Sequence, residues 1–295
     1  MTLRIAAAQF AVFAPKGWDD YAGHLESSVR EAAAQGARLL VFPEYASLVL
    51  AALDGPHHHD PRQEVIALQS LRDAYLDLHR SLAKRHQVFV LAGSFPWEVA
   101  TDRFHNRAWL CSPEGSADFQ DKRIMTRFER EQWNISAGHE LKVFDTDLGR
   151  IGIDICYDIE FPLLARRQVE AGAVLLLAPS CTDAIAGYHR VRIGAQARAL
   201  ENQCVVVQAP LVGKAPWSAA IDVNVGAAGV YGPPDGGFPD DGVLACGKPD
   251  EAGWVYADVD PDTIGSVRRN GQVLNHRHWP EQIVPTITAA AVRRL

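Results

Sequence analysis

The sequence predicts an α/β layered fold, and three observations lead to this prediction. Short apolar segments typical of buried strands alternate with segments whose apolar residues recur every three or four positions, as on one helix face. In two regions, 88–111 and 141–156, strand-like segments follow one another directly, so the sheet should be mixed rather than purely parallel. The chain has 295 residues, enough for a large core, and contains neither a low-complexity linker nor an internal repeat. We therefore expect one domain over residues 1–295.

The predicted strands share short runs of β-branched and other apolar residues. In chain order they cover residues 3–10, 38–42, 87–95, 105–111, 149–156, 173–178, 204–209, 243–246 and 254–259. The predicted helices share an apolar stripe at spacings of three and four residues. They cover residues 21–33, 61–86 and 184–203. Gly36 stands where the first helix should end.

Composition and charge exclude several classes of partner. Lys and Arg total 29 and Asp and Glu total 36, so the net charge is −7, and the chain has no long basic run. This balance argues against a nucleic-acid partner or an anionic membrane surface. No segment reaches the roughly 18 uninterrupted apolar residues that a membrane-spanning helix needs. The N-terminal residues lack a signal-peptide pattern, so we expect a cytoplasmic protein.

Cys156 is placed differently from the other four cysteines. No two cysteines form a CxxC motif, so we expect neither a zinc ribbon nor a thioredoxin-like site. Cys156 ends the predicted strand 149–156 and precedes the sequence YDIEFP. Open α/β sheets bind their ligands at such strand ends. A helix that follows would also direct backbone N–H groups at the sulfur, which favours a thiolate or a nearby oxyanion.

Glu44 and Lys122 are candidate partners of Cys156. Glu44 is the first polar residue after the predicted strand 38–42, so its carboxylate can face the same sheet edge as the sulfur. Lys122 lies between two strand-like segments. Taken singly, each of these charged residues would usually be a solvated surface group. Their significance therefore depends on the order in which all three occur.

The order Glu44, Lys122, Cys156 resembles the Glu–Lys–Cys signature of the nitrilase superfamily of carbon–nitrogen hydrolases. The local sequences are similar as well: FPE ends at Glu44, DK ends at Lys122, and GIDICYDIEFP surrounds Cys156. RALEN at 198–202 and FHN at 104–106 resemble two further elements of the family. The resemblance extends to about residue 210. The Gly- and Pro-rich segment 225–242 departs from the family's usual short turn.

The resemblance implies a four-layer α-β-β-α sandwich that needs no metal and no organic cofactor. It also implies assembly as homodimers through the outer helices, or as a higher homo-oligomer. It also implies a second glutamate between the lysine and the cysteine, before the Ala137-Gly138 step. Glu131 is our preferred candidate, and Glu129 is the other. The motif HHHD at 57–60 lies in a polar loop without HExxH spacing, so we do not expect a metal site there.

These residues together suggest a mechanism. Glu44 would take the proton of Cys156 and later return it to the leaving amine. Lys122 and the backbone N–H of Tyr157 would stabilise the oxyanion of a tetrahedral intermediate. Glu131 would keep Lys122 charged and oriented. Two carboxylates beside one lysine disfavour a free thiolate, so proton transfer should accompany attack.

The expected reaction is hydrolysis of a small amide. Hydrolysis of an N-carbamoyl compound or of a nitrile is an alternative, and a catalytically silent binding protein on the same fold is an alternative of another class. Two rival enzyme classes lack their sequence signals. No papain- or caspase-like motif surrounds Cys156, and no G-x-S-x-G elbow is present.

Overall fold

The computed structural model describes residues 2–54, 60–283 and 290–294. Its strands are β1 (Leu3–Ala11), β2 (Leu39–Val41), β3 (Phe89–Ala100), β4 (Arg103–Cys111), β5 (Ala117–Asp121), β6 (Val143–Thr146), β7 (Gly149–Ile153), β8 (Leu175–Ser180), β9 (Val205–Lys214), β10 (Val223–Asn224), β11 (Gly229–Tyr231), β12 (Val243–Cys246) and β13 (Gly253–Val259). Its α-helices are α1 (Trp18–Ala34), α2 (Pro61–Leu68), α3 (Arg72–His86), α4 (Arg127–Glu131), α5 (Pro162–Glu170), α6 (Ile185–Asn202), α7 (Pro261–Asn270) and α8 (Asn275–His278). Short 3-10 helices cover Ala46–Asp54, Gln69–Leu71, Cys156–Glu160 and Trp279–Gln282. The histidines of the HHHD motif lie outside the described residues.

The strands form one mixed sheet that curls so that its two halves face each other. The strand order is β5-β4-β3-β2-β1-β9-β8-β7-β6. The pairs at the centre of each half are parallel, whereas β3, β4 and β5 pair antiparallel, as do β6 and β7. The halves join where β1 runs parallel to β9, with Phe10 opposite Leu211. The mixed sheet expected from the sequence is therefore present.

The two faces of β1 contribute to different cores, because successive side chains of a strand point to opposite sides. Ile5 belongs to a core that it shares with Leu175 of β8, between the two halves of the sheet. Ala6 belongs to a second core with Tyr21 of α1 and Tyr75 of α3. On the other outer side, α5 and α6 pack against the second half. This arrangement confirms the four-layer α-β-β-α sandwich.

The helix predicted over residues 61–86 is divided into α2 and α3. The side chain of Gln69 donates hydrogen bonds to the carbonyls of Val65 (2.7 Å) and Pro96 (2.6 Å) and accepts one from the N–H of Glu98 (3.0 Å). These bonds link the break between α2 and α3 to β3. Tertiary contacts of this kind leave no trace in the apolar periodicity of the helix.

Two other regions differ from expectation. The strand predicted over residues 149–156 ends at Ile153, so Cys156 lies in the turn beyond it. The segment 225–242 contains β11, which pairs with β9 and β12. In the part of the chain that the structure describes, no helix combines the length and apolar character needed to cross a bilayer.

Candidate active site

The structure brings Glu44, Lys122 and Cys156 to one cavity of about 980 Å³. Glu44 follows β2 and Lys122 follows β5, in one half of the sheet, whereas Cys156 follows β7 in the other half. All three side chains are buried. Tyr157, whose backbone N–H we expect to meet the oxyanion, lines the same cavity.

Lys122 lies between two carboxylates. Its Nζ donates to Glu44 Oε1 at 2.7 Å and to Glu129 Oε2 at 2.8 Å. Burial alone would lower the pKa of Lys122, but the charges of Glu129 and Glu44 outweigh it and hold that pKa well above its ordinary value. The ammonium group therefore stays protonated and fixed in position.

Glu131 does not lie beside Lys122, so our preferred choice for the second glutamate is wrong, and Glu129 takes that place. The Glu131 side chain is 56% exposed and pairs with Arg127 at 2.9 Å on the surface of α4. Glu129 is turned inward by a capping box at the start of α4. The Thr126 hydroxyl accepts the N–H of Glu129, while Glu129 Oε2 accepts the N–H of Thr126 at 2.8 Å. The Thr-x-x-Glu spacing was the sequence signal that distinguishes the two glutamates.

Asn106 and Tyr45 connect the two buried carboxylates. Asn106 Nδ2 donates to Glu44 Oε1 at 2.8 Å and to Glu129 Oε1 at 3.0 Å. The Tyr45 hydroxyl donates to Glu129 Oε1 at 2.7 Å. The FHN motif includes Asn106 without indicating its contacts, and no sequence signal identifies Tyr45.

The two carboxylates differ in acidity. Burial raises the pKa of Glu44 above its ordinary value, and the nearby charge of Lys122 offsets this only in part. Burial would also raise the pKa of Glu129, but Lys122 and the Tyr45 hydroxyl lower it below the ordinary value. Glu129 is thus suited to remain ionised, whereas Glu44 is the better proton acceptor. Paired acids with separated pKa values are typical of acid–base sites.

Cys156 adopts a strained backbone conformation. Its φ is +50°, in the left-handed region, which costs a residue with a side chain roughly 1–3 kcal/mol. The turn is closed by a hydrogen bond from the N–H of Asp158 to the carbonyl of Ile155 (3.0 Å), and the buried Ile155 and Ile159 anchor it. The Sγ of Cys156 lies 3.8 Å from the carbonyl oxygen of Cys181.

The Cys156 thiol is protonated at rest. Burial and the charge of Glu44 raise its pKa well above the ordinary value, and Lys122 compensates only in part. This direction agrees with the expectation that proton transfer accompanies attack. Cys181, which follows β8, adds a contact that the sequence did not indicate, because its backbone N–H donates to Glu44 Oε2 at 3.0 Å.

Asp158 ties the turn of Cys156 to the segment after Lys122. Its carboxylate accepts the backbone N–H groups of Arg123 (3.0 Å) and Ile124 (2.7 Å). Burial raises the pKa of Asp158 to about 7. Asp158 therefore links the two halves of the sheet next to the reactive groups.

Gly138 allows the chain to pass close to the lysine segment. Its N–H donates to the carbonyl of Lys122 at 2.9 Å, and a Cβ at this position would lie 2.4 Å from the Cβ of Asp121. This close approach explains the glycine of the Ala137-Gly138 step. Within residues 2–54, 60–283 and 290–294, no cluster of three or more His, Cys, Asp or Glu side chains is arranged to hold a metal ion.

Residues 4–269 match the family model described as carbon-nitrogen hydrolase. The chain is 34% identical over 272 residues to the Bacillus subtilis (strain 168) protein named "Probable hydrolase YhcX", a match that covers 92% of the chain but only 52% of that relative's length. It is 25% identical over 270 residues to the deaminated glutathione amidase of Yersinia enterocolitica, with 86% of each protein covered. In fold it is similar to a mutant of the amidase from Nesterenkonia sp. AN1 that carries acrylamide at its active-site cysteine (TM-score 0.70, 22% identity, 94% of this chain and 99% of that chain). The chain therefore belongs to the carbon–nitrogen hydrolase family.

Proposed function

We propose that the protein hydrolyses small amides through a thioester on Cys156, releasing a carboxylic acid and either ammonia or an amine. The main support is one arrangement: the Lys122 ammonium is held between Glu44 and Glu129 in the cavity that also contains the Cys156 thiol. The relative from Yersinia enterocolitica, which is named an amidase, supports the same reaction class.

In the first half of the proposed reaction, the sulfur of Cys156 attacks the amide carbon while its proton passes to Glu44. The C–S bond forms, and the carbonyl electron pair moves onto the oxygen. Lys122 and the N–H of Tyr157 stabilise the resulting oxyanion. When the intermediate collapses, the C–N bond breaks and Glu44 delivers its proton to the leaving nitrogen.

In the second half, water hydrolyses the thioester. Glu44 removes a proton from the water as its oxygen attacks the acyl carbon, and the same groups stabilise the second oxyanion. The C–S bond then breaks, the acid leaves, and the proton returns from Glu44 to Cys156. The raised pKa of Glu44 suits a group that accepts and releases a proton twice in each cycle.

The experiment that tests this proposal is a search for the acyl-enzyme. A brief pulse of substrate followed by acid quenching should add the mass of the acyl group to the wild-type protein and leave the Cys156→Ala variant unmodified. Cys246→Ser is the matched control, because Cys246 is exposed on the surface and does not line the cavity. Turnover by Cys156→Ala at the wild-type rate would overturn the proposal. If Cys156→Ala binds the compound and the wild type does not convert it, the result would favour a catalytically silent binding protein over an enzyme.

The substrate class can be narrowed by a screen. The cavity is near the upper end of the roughly 300–1,000 Å³ typical of small-molecule pockets, so acyl chains longer than acetyl should be included. Exposed residues of both charges line it, among them Arg127, Arg130 and Glu131. Ammonia release from aliphatic amides, ω-amides of dicarboxylic acids, N-carbamoyl amino acids and nitriles would separate amide hydrolysis from the two alternatives.

We also propose that the protein is a homodimer that associates through its outer helices. Large apolar side chains are exposed on α5 and α6, namely Leu163, Ile185, Ile193 and Leu200. The two helices contact each other, and apolar side chains exposed on neighbouring helices commonly mark an interface. Light scattering should give a dimeric mass for the wild type and a monomeric mass for Ile193→Asp. A monomeric wild type would contradict the proposal.

A further inference from the structure

One wall of the cavity is formed by the loop that connects β9 with β10, residues 215–222. Ala219, Ala220 and Asp222 of this loop line the cavity that contains Cys156. The loop contributes none of the groups assigned to the proposed reaction. The position of the loop nevertheless limits the space beside the sulfur of Cys156. Because Ala219 and Ala220 have small side chains, the size of that space depends mainly on the position of the loop backbone.

A buried carboxylate from α2 holds this loop. Glu64 is 3% exposed, and its Oε2 accepts the hydroxyl of Ser218 at 2.5 Å while its Oε1 accepts the N–H of Ala219 at 2.6 Å. The Ser218 hydroxyl in turn accepts the N–H groups of Ala220 and Ile221, each at 3.2 Å. Glu64 and Ser218 together therefore fix four consecutive residues of the loop, two of which, Ala219 and Ala220, line the cavity.

The helix dipole alone does not account for this arrangement. A glutamate in the first turn of a helix is favourable there even when it is exposed to water. Burying a carboxylate costs free energy that hydrogen bonds must offset. For Glu64, two of these bonds come from residues 154 and 155 positions away in the chain, in the loop that supplies part of the cavity wall. Glu64 itself does not line the cavity.

We propose that Glu64 is a positioning residue that determines which acyl chains the cavity accepts, acting through Ser218 and Ala219. This inference rests on the proposed amidase function, since the selectivity in question is that of the amide substrate. It adds a specificity determinant outside the group of residues around Lys122.

The test compares Glu64→Gln with the wild type on linear amides from acetamide to hexanamide. Glutamine has nearly the same size, but its amide nitrogen can only donate, so one of the two oxygens that accept from Ser218 and Ala219 is replaced by a donor. We expect the ratio of kcat/KM for hexanamide to that for acetamide to change about tenfold, the discrimination that a methylene group can carry in a pocket. The change should arise mainly in KM.

Asp235→Asn is the matched control. Asp235 is also a nearly buried carboxylate that fixes a loop, since it accepts the N–H of Gln272 at 2.9 Å and that of Gly236 at 2.6 Å, but it does not line the cavity. We expect Asp235→Asn to lower the melting temperature without changing the selectivity ratio. An unchanged ratio in Glu64→Gln, or an equal change in both variants, would overturn the inference.

Two further measurements keep the test decisive. Ser218→Ala removes the hydroxyl link while retaining Glu64, so it carries the same expectation if Glu64→Gln does not fold. Alkylation rates of Cys156 with iodoacetamide and 2-iodohexanamide, followed by peptide mass mapping that separates Cys156 from the exposed Cys246, report the width of the cavity without turnover. If no amide is hydrolysed, the proposed function fails, but the ratio of these two rates still tests the wall. A ratio that is the same in wild type, Glu64→Gln and Ser218→Ala would refute the positioning role.

Discussion

Replacing Glu129 with glutamine removes one negative charge from the buried cluster and keeps the size of the side chain. The carboxylate accepts five hydrogen bonds, from Lys122, Tyr45, Asn106, and both the N–H and the hydroxyl of Thr126. A primary amide has one oxygen, and its nitrogen can only donate. Whichever way the glutamine turns, at least two of these donors lose their acceptor.

The size of the effect follows from this geometry. The formal charge of Glu44, Lys122 and Glu129 together changes from −1 to zero. Removing one partner of a buried ion pair costs about 3–5 kcal/mol, so we expect the free energy of unfolding to fall by this order. Losing one oxyanion donor lowers turnover about 10²–10³-fold. We expect kcat to fall by a similar factor when Lys122 loses its hydrogen bond to Glu129.

The assays are ammonia release for turnover and urea denaturation for stability. Glu131→Gln on the same helix is the matched control. Its exposed pair with Arg127 is worth only about 0.3–0.5 kcal/mol, so this variant should behave like the wild type. The reasoning would be refuted if Glu129→Gln kept more than about a tenth of the wild-type kcat, or if Glu131→Gln lost as much as Glu129→Gln.

Three further predictions concern neighbouring residues. Because burial raises the pKa of Asp158 from 3.8 to about 7, its favourable contribution to stability is complete below about pH 4 and is lost as the pH rises through 7. Urea denaturation should therefore show the wild type losing on the order of 4 kcal/mol more than Asp158→Asn between pH 4 and pH 8, and parallel pH profiles would contradict this. Asn106→Leu removes a donor from Glu44, so the acid limb of kcat/KM against pH should move up by about one unit or more, whereas an unmoved limb would show that the donor is unimportant. Urea denaturation should give Cys156→Gly a free energy of unfolding about 1 kcal/mol higher than that of Cys156→Ala, because glycine tolerates a φ of +50°; the opposite order would argue against strain at this position.

The layered fold and much of the site could be predicted because apolar periodicity places a few polar residues at strand ends. Glu44 comes three residues after β2 ends at Val41, and Lys122 directly follows β5. Cys156 reached the same sheet edge although its strand ends three residues earlier, at Ile153. An error of this size in the predicted end of a strand leaves the residue at the same edge, because the first turn beyond a strand still lies there.

Other features could not be predicted from periodicity. The choice between Glu129 and Glu131 depends on which side of a five-residue helix faces the lysine, and only the capping box indicates it. The break at Gln69 and the contact of Glu64 with Ser218 join residues that are far apart in the chain. Such contacts leave no local pattern, so they become visible only when the tertiary structure is known.

The curled sheet has a consequence for the recovery of activity after denaturation. The sulfur and its proton acceptor come from opposite halves, which meet where β1 adjoins β9. A fragment that contains either half alone cannot turn over substrate, however well it regains its helices and strands. During refolding, ammonia release can therefore recover only after the two halves have docked, and comparing it with circular dichroism would show whether helices and strands form before that step.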